Sequence, residues 1–171
     1  MAIDRAQQHF RSLFSHFPTG VAVVTGTSDR GPVGMTANAV CSLSLDPLLV
    51  LVCFDKDART LPIVRDIGRF GLNMLRADQG TLSRVFASKL PEHEKFAGVP
   101  HRVEDGVPIL DGVLAWMTCD LEQLHPGGDH TIGVGAVRAM MPEAAHGDPL
   151  VWYRGDYRGI VLVRVMRNLV Q

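Results

Sequence analysis

The chain reads as a mainly β protein, an antiparallel barrel with a few helices packed outside it. Apolar, β-branched runs of strand length outnumber the helical patterns along the sequence. The helical patterns do not alternate with strands in a regular βαβ order. Clusters of Gly, Pro and Asp separate the runs, as turns between antiparallel strands do.

The elements follow in order. Residues 4 to 16 predict a helix: Asp4 can cap it, and Phe10, Leu13, Phe14 and Phe17 fall on one face. Pro18 and Gly20 break that pattern, and Val21 to Thr25 predicts a buried strand. The turn cluster from Gly26 to Pro32 leads into a strand over Val33 to Val40. Leu48 to Phe54 is a continuous apolar strand, bounded by Asp46-Pro47 and Asp55-Lys56-Asp57. Thr60 to Arg65 predicts a short helix, and Phe70 to Leu75 a strand. Asp78 to Lys89 is helical, with Leu82, Val85, Phe86 and Leu90 on one face, and Pro91 to Lys95 ends it. Residues 97 to 112 read as loop. Val113 to Leu124 and Thr131 to Met141 are two long strands joined through Gly127 and Gly128. A polar loop over 142 to 149 precedes strands at Leu150 to Tyr153 and Ile160 to Val165.

At 171 residues, with no internal repeat and no linker, the expectation is one domain, 1–171. Such a length buries roughly 70% of its unfolded surface and needs no staples. A net charge of −1 gives no electrostatic footprint for nucleic acid or an acidic membrane surface. No apolar run approaches the roughly 20 residues of a membrane helix, and the first residues lack a signal-peptide core, so a cytoplasmic protein is expected. Cys41, Cys53 and Cys119 are widely spaced among apolar residues and read as buried, reduced core thiols.

Candidate chemistry is sparse. Asp55-Lys56-Asp57-Ala58-Arg59-Thr60 joins a strand to a helix, where free amides, cations and a hydroxyl suit a phosphate; a solvated charged turn fits the residues equally well. Thr36-Ala37-Asn38 and Ser42-Leu43-Ser44 place small polar groups in apolar surroundings, as strand edges also do. Gly127-Gly128-Asp129-His130 alone reads as a hairpin turn with a surface histidine. Gly133-Val134-Gly135-Ala136-Val137-Arg138 begins like a dinucleotide fingerprint but lacks the third glycine and lies inside a strand, which excludes a Rossmann motif. Glu92-His93-Glu94 has no metalloprotease spacing and reads as a solvated turn, and no metal site is expected.

Taken together, Phe17-Pro18-Thr19-Gly20, the stretch Gly34 to Pro47, Gly128-Asp129-His130 and Trp152-Tyr153-Arg154-Gly155 resemble the flavin reductase family with the FMN-binding split barrel, from about Phe14 to about Gly159. The resemblance implies a split β-barrel of Greek-key-like antiparallel strands with peripheral helices. It implies a site in which Thr36, Ala37, Asn38, Ser42, Leu43, Ser44 and Cys53 line the flavin ring. Asp55, Lys56, Arg59 and Thr60 would hold its phosphate, and the family-like motifs Phe86-Ala87-Ser88-Lys89 and Lys95-Phe96-Ala97-Gly98 would bracket a mobile segment over it, with Phe86, Ala87 and Lys89 at the cofactor. Asp129, Tyr153 and Arg154 would complete the pocket, and His130 would position the nicotinamide. The implied activity is hydride transfer from NADH or NADPH to N5 of FMN or FAD, with reduced flavin passing to a partner monooxygenase. A homodimer is implied as well. A flavin-binding module without NAD(P)H turnover, and an oxidoreductase with tightly held flavin, are the alternatives.

Overall fold

The computed structural model describes residues 4–143 and 147–160. The expected class is found: strands dominate, every ladder is antiparallel, and the helices are few and peripheral. The helices are α1 (Arg5–Phe14), α2 (Thr60–Ile67), α3 (Gly80–Ala87) and α4 (Glu92–Lys95), with a 3-10 turn at Ala77–Gln79. The main sheet joins β2 (Ala22–Ser28), β3 (Gly31–Ala37), β4 (Val40–Leu45), β5 (Leu48–Asp55), β6 (Arg69–Met74), β9 (Ala115–Gly127) and β10 (His130–Pro142). Its strand order is β3-β2-β6-β9-β10-β5-β4. Two smaller sheets flank it: β7 (His101–Glu104) with β8 (Val107–Leu110), and β1 (Thr19–Gly20) with β11 (Val151–Tyr153) and β12 (Asp156–Arg158).

Glycines explain how the long strands pack. A Cβ at Gly133 would lie 2.7 Å from the Phe54 ring, and one at Gly135 would lie 2.5 Å from the Phe70 ring. The two rings sit over those gaps and meet edge to face at 6.2 Å. The Gly133-x-Gly135 pattern is therefore a packing device. Val24, Val52, Val64, Leu72 and Cys119 complete this interior cluster. A second cluster, around Phe86, Phe96, Ile109 and Trp116, lies under the helices.

Several elements differ from expectation. The strand expected over Val33 to Val40 stops at Ala37, and a separate edge strand, β4, follows. The loop over 26 to 32 shrinks to a tight turn, because β2 and β3 stay paired out to Ser28↔Gly31. The loop-rich stretch 97–112 holds the β7–β8 hairpin, whose β8 positions are all buried. The expected helix over 78–89 is split between the 3-10 turn and α3. In α1, Asp4 forms a reciprocal capping box with Gln7. Its apolar face is not covered: Phe10, Leu13 and Phe14 are each 61% exposed. Cys119 is buried, which pushes its thiol up to about 12, but Cys53 is half-buried and Cys41 exposed. Cys53 falls on the less buried parity of β5 and Cys41 lies on the edge strand β4, so place in the sheet, and not local apolarity, decides burial. The strand expected at 160–165 lies outside the described residues, except for Ile160, which is not in a strand.

Candidate active site

Two cavities open side by side where β3, α2 and α3 converge. The first, about 290 Å³, has an aromatic wall of Trp152 and Tyr157, with Val21, Thr36, Asn38, Ser83 and Ala87 around it. The second, about 530 Å³, is a polar groove bordered by Asp55 and the Asp57–Thr60 stretch, by Phe86 to Lys89 and by Lys95, with Lys56 outside the lining. They meet at Thr36 and Ala87, which line both.

Ser83 is the joint of the aromatic pocket. Its carbonyl accepts from Thr36 Oγ1 at 2.7 Å, and its hydroxyl accepts from Tyr157 O–H at 2.7 Å. One buried serine thus fixes β3, α3 and β12 to one another. Trp152 and Tyr157 are cross-strand partners, and their rings meet edge to face at 5.1 Å. Arg84 lies over the Tyr157 ring at 4.8 Å. Asn38 Nδ2 donates to Thr19 Oγ1 at 3.1 Å and holds β1 against the pocket.

The groove is built around the turn after β5. Asp55 Oδ1 accepts from the Asp57 amide at 2.8 Å, closing an Asx turn before α2. Arg59, the cap residue of α2, makes no side-chain bond to the helix's first turn. Its guanidinium donates instead to the carbonyls of Lys89 and Leu90 and lies 3.4 Å from Glu92. Lys56 is committed too: Nζ donates to the Gly128 carbonyl, and its amide donates to the Asp129 carbonyl. Both cations expected on a phosphate therefore hold backbone. Arg59 ties down the Ser88–Pro91 rim, and Lys56 ties down the β9–β10 turn.

That turn brings His130 opposite Asp55 in the β5–β10 register. His130 Nδ1 lies 2.8 Å from Asp129 Oδ1, and this hydrogen bond holds the Asp129 carboxyl below the usual carboxylate range. His130 stands at the lip, outside the cavity linings, with 43% of its side chain exposed.

The structure brings together Thr36, Asn38, Asp55, Arg59, Thr60, Phe86, Ala87 and Lys89 of the expected site. The others do not line these cavities. Ala37 is buried in the interior cluster beside them. Ser42, Leu43 and Ser44 sit on the edge strand β4, and Cys53 lies half-buried on β5. Tyr153 precedes a tight hairpin turn, where Arg154 and Gly155 have φ of 51° and 78°. The Arg154 guanidinium covers the Tyr153 ring, and its amide donates to the Ser15 carbonyl. Sequence reasoning missed Ser83 and Tyr157, and it left Trp152 and Lys95, which lie in the family-like motifs, without a site role of their own. Had Arg154-Gly155 been read as a hairpin turn, the register would have paired Trp152 with Tyr157 and turned both to one face. Glu92, expected in a solvated turn, is folded inward with its side chain 17% exposed.

A slot with one aromatic wall and small neighbours, leading into a groove with three cationic side chains, fits a flat heteroaromatic ring with an anionic tail. Among the described residues there is no group of three His, Cys, Asp or Glu that could hold a metal. No helix among them is long and apolar enough to cross a membrane.

Comparison with known proteins agrees with this chemistry. Residues 14–161 match the family model described as a flavin reductase like domain. The reductase subunit HsaB of a flavin-dependent monooxygenase from Mycobacterium tuberculosis is 41% identical over 153 residues, covering 88% of this chain and 81% of that one. An NADH-dependent flavin reductase from a Rhodococcus species is 39% identical over 158 residues, covering 91% and 87%. Among solved structures, the NADH:FAD oxidoreductase of Streptomyces globisporus C-1027, in complex with NAD and FAD fragments, superposes with a TM-score of 0.83. It is 31% identical, with 99% of each chain covered. The motifs, the fold and the relatives point one way, and this chain belongs to the flavin reductase-like family.

Proposed function

We propose that the chain is an NAD(P)H:flavin oxidoreductase, a single flavin reductase-like domain that supplies reduced flavin to a separate monooxygenase. The observation that carries the reading is the junction of the aromatic pocket with the cation-lined groove at Thr36 and Ala87, in a chain of this family. The bound flavin supplies the hydride acceptor. The protein supplies alignment and exclusion of water. Trp152 and Tyr157 bound the ring's slot, and Ala87 and Thr36 let a flat ring approach closely. His130, held by Asp129 at the lip of the groove, orients the nicotinamide. A reductase name shared with monooxygenase subunits supports a monooxygenase as recipient.

The working form we infer is a cytoplasmic homodimer. The uncovered face of α1 and the exposed Leu43 and Leu45 of β4 support a second copy as their cover. The test of the activity is loss of NADH or NADPH absorbance by purified protein, with and without added FMN or FAD. Oxidation that needs added flavin and saturates with it is the expected result. No oxidation with either nucleotide, at saturating flavin, would refute the reading.

A further inference from the structure

A third cavity, of about 410 Å³, adjoins the aromatic pocket and shares Val21 and Asn38 with it. It has no lining residue in common with the cationic groove. Its floor is core: Ala22, Leu72, Leu75 and Leu150 are all buried. Its lining also includes Phe17, which is 68% exposed. Among the described residues no charged side chain lines it, and Thr19 and Asn38 are its only polar ones. Asn38 Nδ2 donates to Thr19 Oγ1 at 3.1 Å. Among the described residues nothing accepts the Thr19 hydroxyl proton and nothing donates to Asn38 Oδ1. An apolar cavity therefore carries one unspent donor beside one unspent acceptor.

We propose that this cavity is a second ligand site, for an uncharged ring compound bearing a hydroxyl group, and that its occupancy tightens flavin binding in the pocket beside it. The coupling rests on the flavin reading; the ligand class does not. A volume of about 410 Å³ lies within the span of small-molecule sites, roughly 300–1,000 Å³. A carboxylate or a phosphate ester would enter without a countercharge, at a cost that apolar contacts do not offset. That excludes the dinucleotide and the phosphate end of a flavin. A hydroxyl both donates and accepts, so one group can serve Asn38 Oδ1 and the Thr19 hydroxyl together. The ring would lie on the buried floor and take Phe17 out of water. Asn38 links the two cavities, because it lines both. A ligand that fixes the Thr19–Asn38 pair does in advance part of the ordering that flavin binding requires.

The experiment is equilibrium dialysis of purified protein against 1-naphthol, naphthalene and 1-naphthoate, which share one skeleton. 1-Naphthol should bind saturably and about tenfold more tightly than naphthalene, and 1-naphthoate should bind most weakly. 1-Naphthol should stay bound at saturating FMN and lower the Kd of FMN at least about threefold. A Cβ at Gly20 meets nothing within 4 Å, so Gly20→Leu can put a side chain into the cavity. It should weaken 1-naphthol at least about tenfold and leave FMN affinity, measured without 1-naphthol, in place. Thr19→Val should erase the preference for 1-naphthol over naphthalene. No saturable binding of 1-naphthol, the result if a second copy covers the cavity, would overturn the proposal. Displacement by FMN would put 1-naphthol in the flavin's own slot and overturn it too. Equal affinity for 1-naphthoate would overturn the ligand class, and an unchanged Kd of FMN would overturn the coupling. If Gly20→Leu does not fold, a wild-type preference in Thr19→Val would overturn the site. Wild type that binds 1-naphthol but neither FMN nor FAD would refute the flavin reading and the coupling while supporting the ligand class.

Discussion

The interior under the long strands and the rim of the cleft are built on opposite rules. In the interior, Phe54 and Phe70 fill gaps left by Gly133 and Gly135, and shape alone sets their positions. At the rim, single polar groups hold separate pieces of chain: Ser83 joins three elements, Lys56 holds one turn, and Arg59 holds another. The interior follows from volume and the rim from the direction of hydrogen bonds. Damage to the first should appear in stability, and damage to the second in binding.

The largest effect expected is in the interior. Phe54→Ala removes a fully buried ring that no neighbour can replace, and should cost about 3–5 kcal/mol in urea unfolding. A loss below about 1 kcal/mol would show that the strands can collapse, and the contrast would fail. At the lip, His130→Ala should raise KM for NAD(P)H roughly tenfold, about 1.4 kcal/mol, with the melting temperature and flavin affinity unchanged. Unaltered steady-state kinetics would remove His130 from the site. Tyr157→Phe sharpens the division between the two regions. Loss of its hydrogen bond to Ser83 should cost about 1 kcal/mol of stability and weaken flavin binding by a few-fold. Flavin affinity equal to wild type would mean that the aromatic wall needs no anchor.

The smallest effect is electrostatic. Hydrogen bonding to Arg138, and then to Arg69, holds the Asp120 carboxyl below its ordinary value of 3.8. A depressed carboxyl contributes stability that is complete above its unfolded value and is lost as pH falls through the folded one. Melting temperature should therefore drop below about pH 4, and Asp120→Asn should flatten part of that drop. This exposed network is worth at most about 1 kcal/mol at neutral pH. An identical acid profile in the variant would assign the drop to other carboxyls.

Interior and rim also differed in how far the sequence disclosed them. Val21 to Thr25, the apolar run at Leu48 to Phe54 and the two long strands were legible because periodicity reports burial directly. The split at Ala37 and the hairpin at 101–110 were not, because short strands between turns leave little pattern. Within the site, Thr36, Asn38 and Ala87 were found through the family motifs. Trp152 was passed over for its neighbour Tyr153, because the turn that sets the parity of β11 was not recognised. Glu92 was read as surface because charge predicts exposure, and Lys95 was noticed only as part of a family-like motif. Only the tertiary contact with Gly34 shows otherwise.

That contact has a consequence for how the sheet meets other chains. Gly34 lies on β3, the last strand on one side of the main sheet, and its outward amide and carbonyl are both taken by α4. Two residues earlier on the same side stands Pro32, which has no N–H to offer. A stray strand approaching that border finds no donor at either position, so ladder growth is blocked there. Among the described residues, no side chain takes the outward backbone of β4 in this way. A sheet sealed on one side and open on the other can extend in one direction only. If the homodimer proposed above forms along β4, neither copy offers a third an open edge, and the pair closes instead of growing into a fibre.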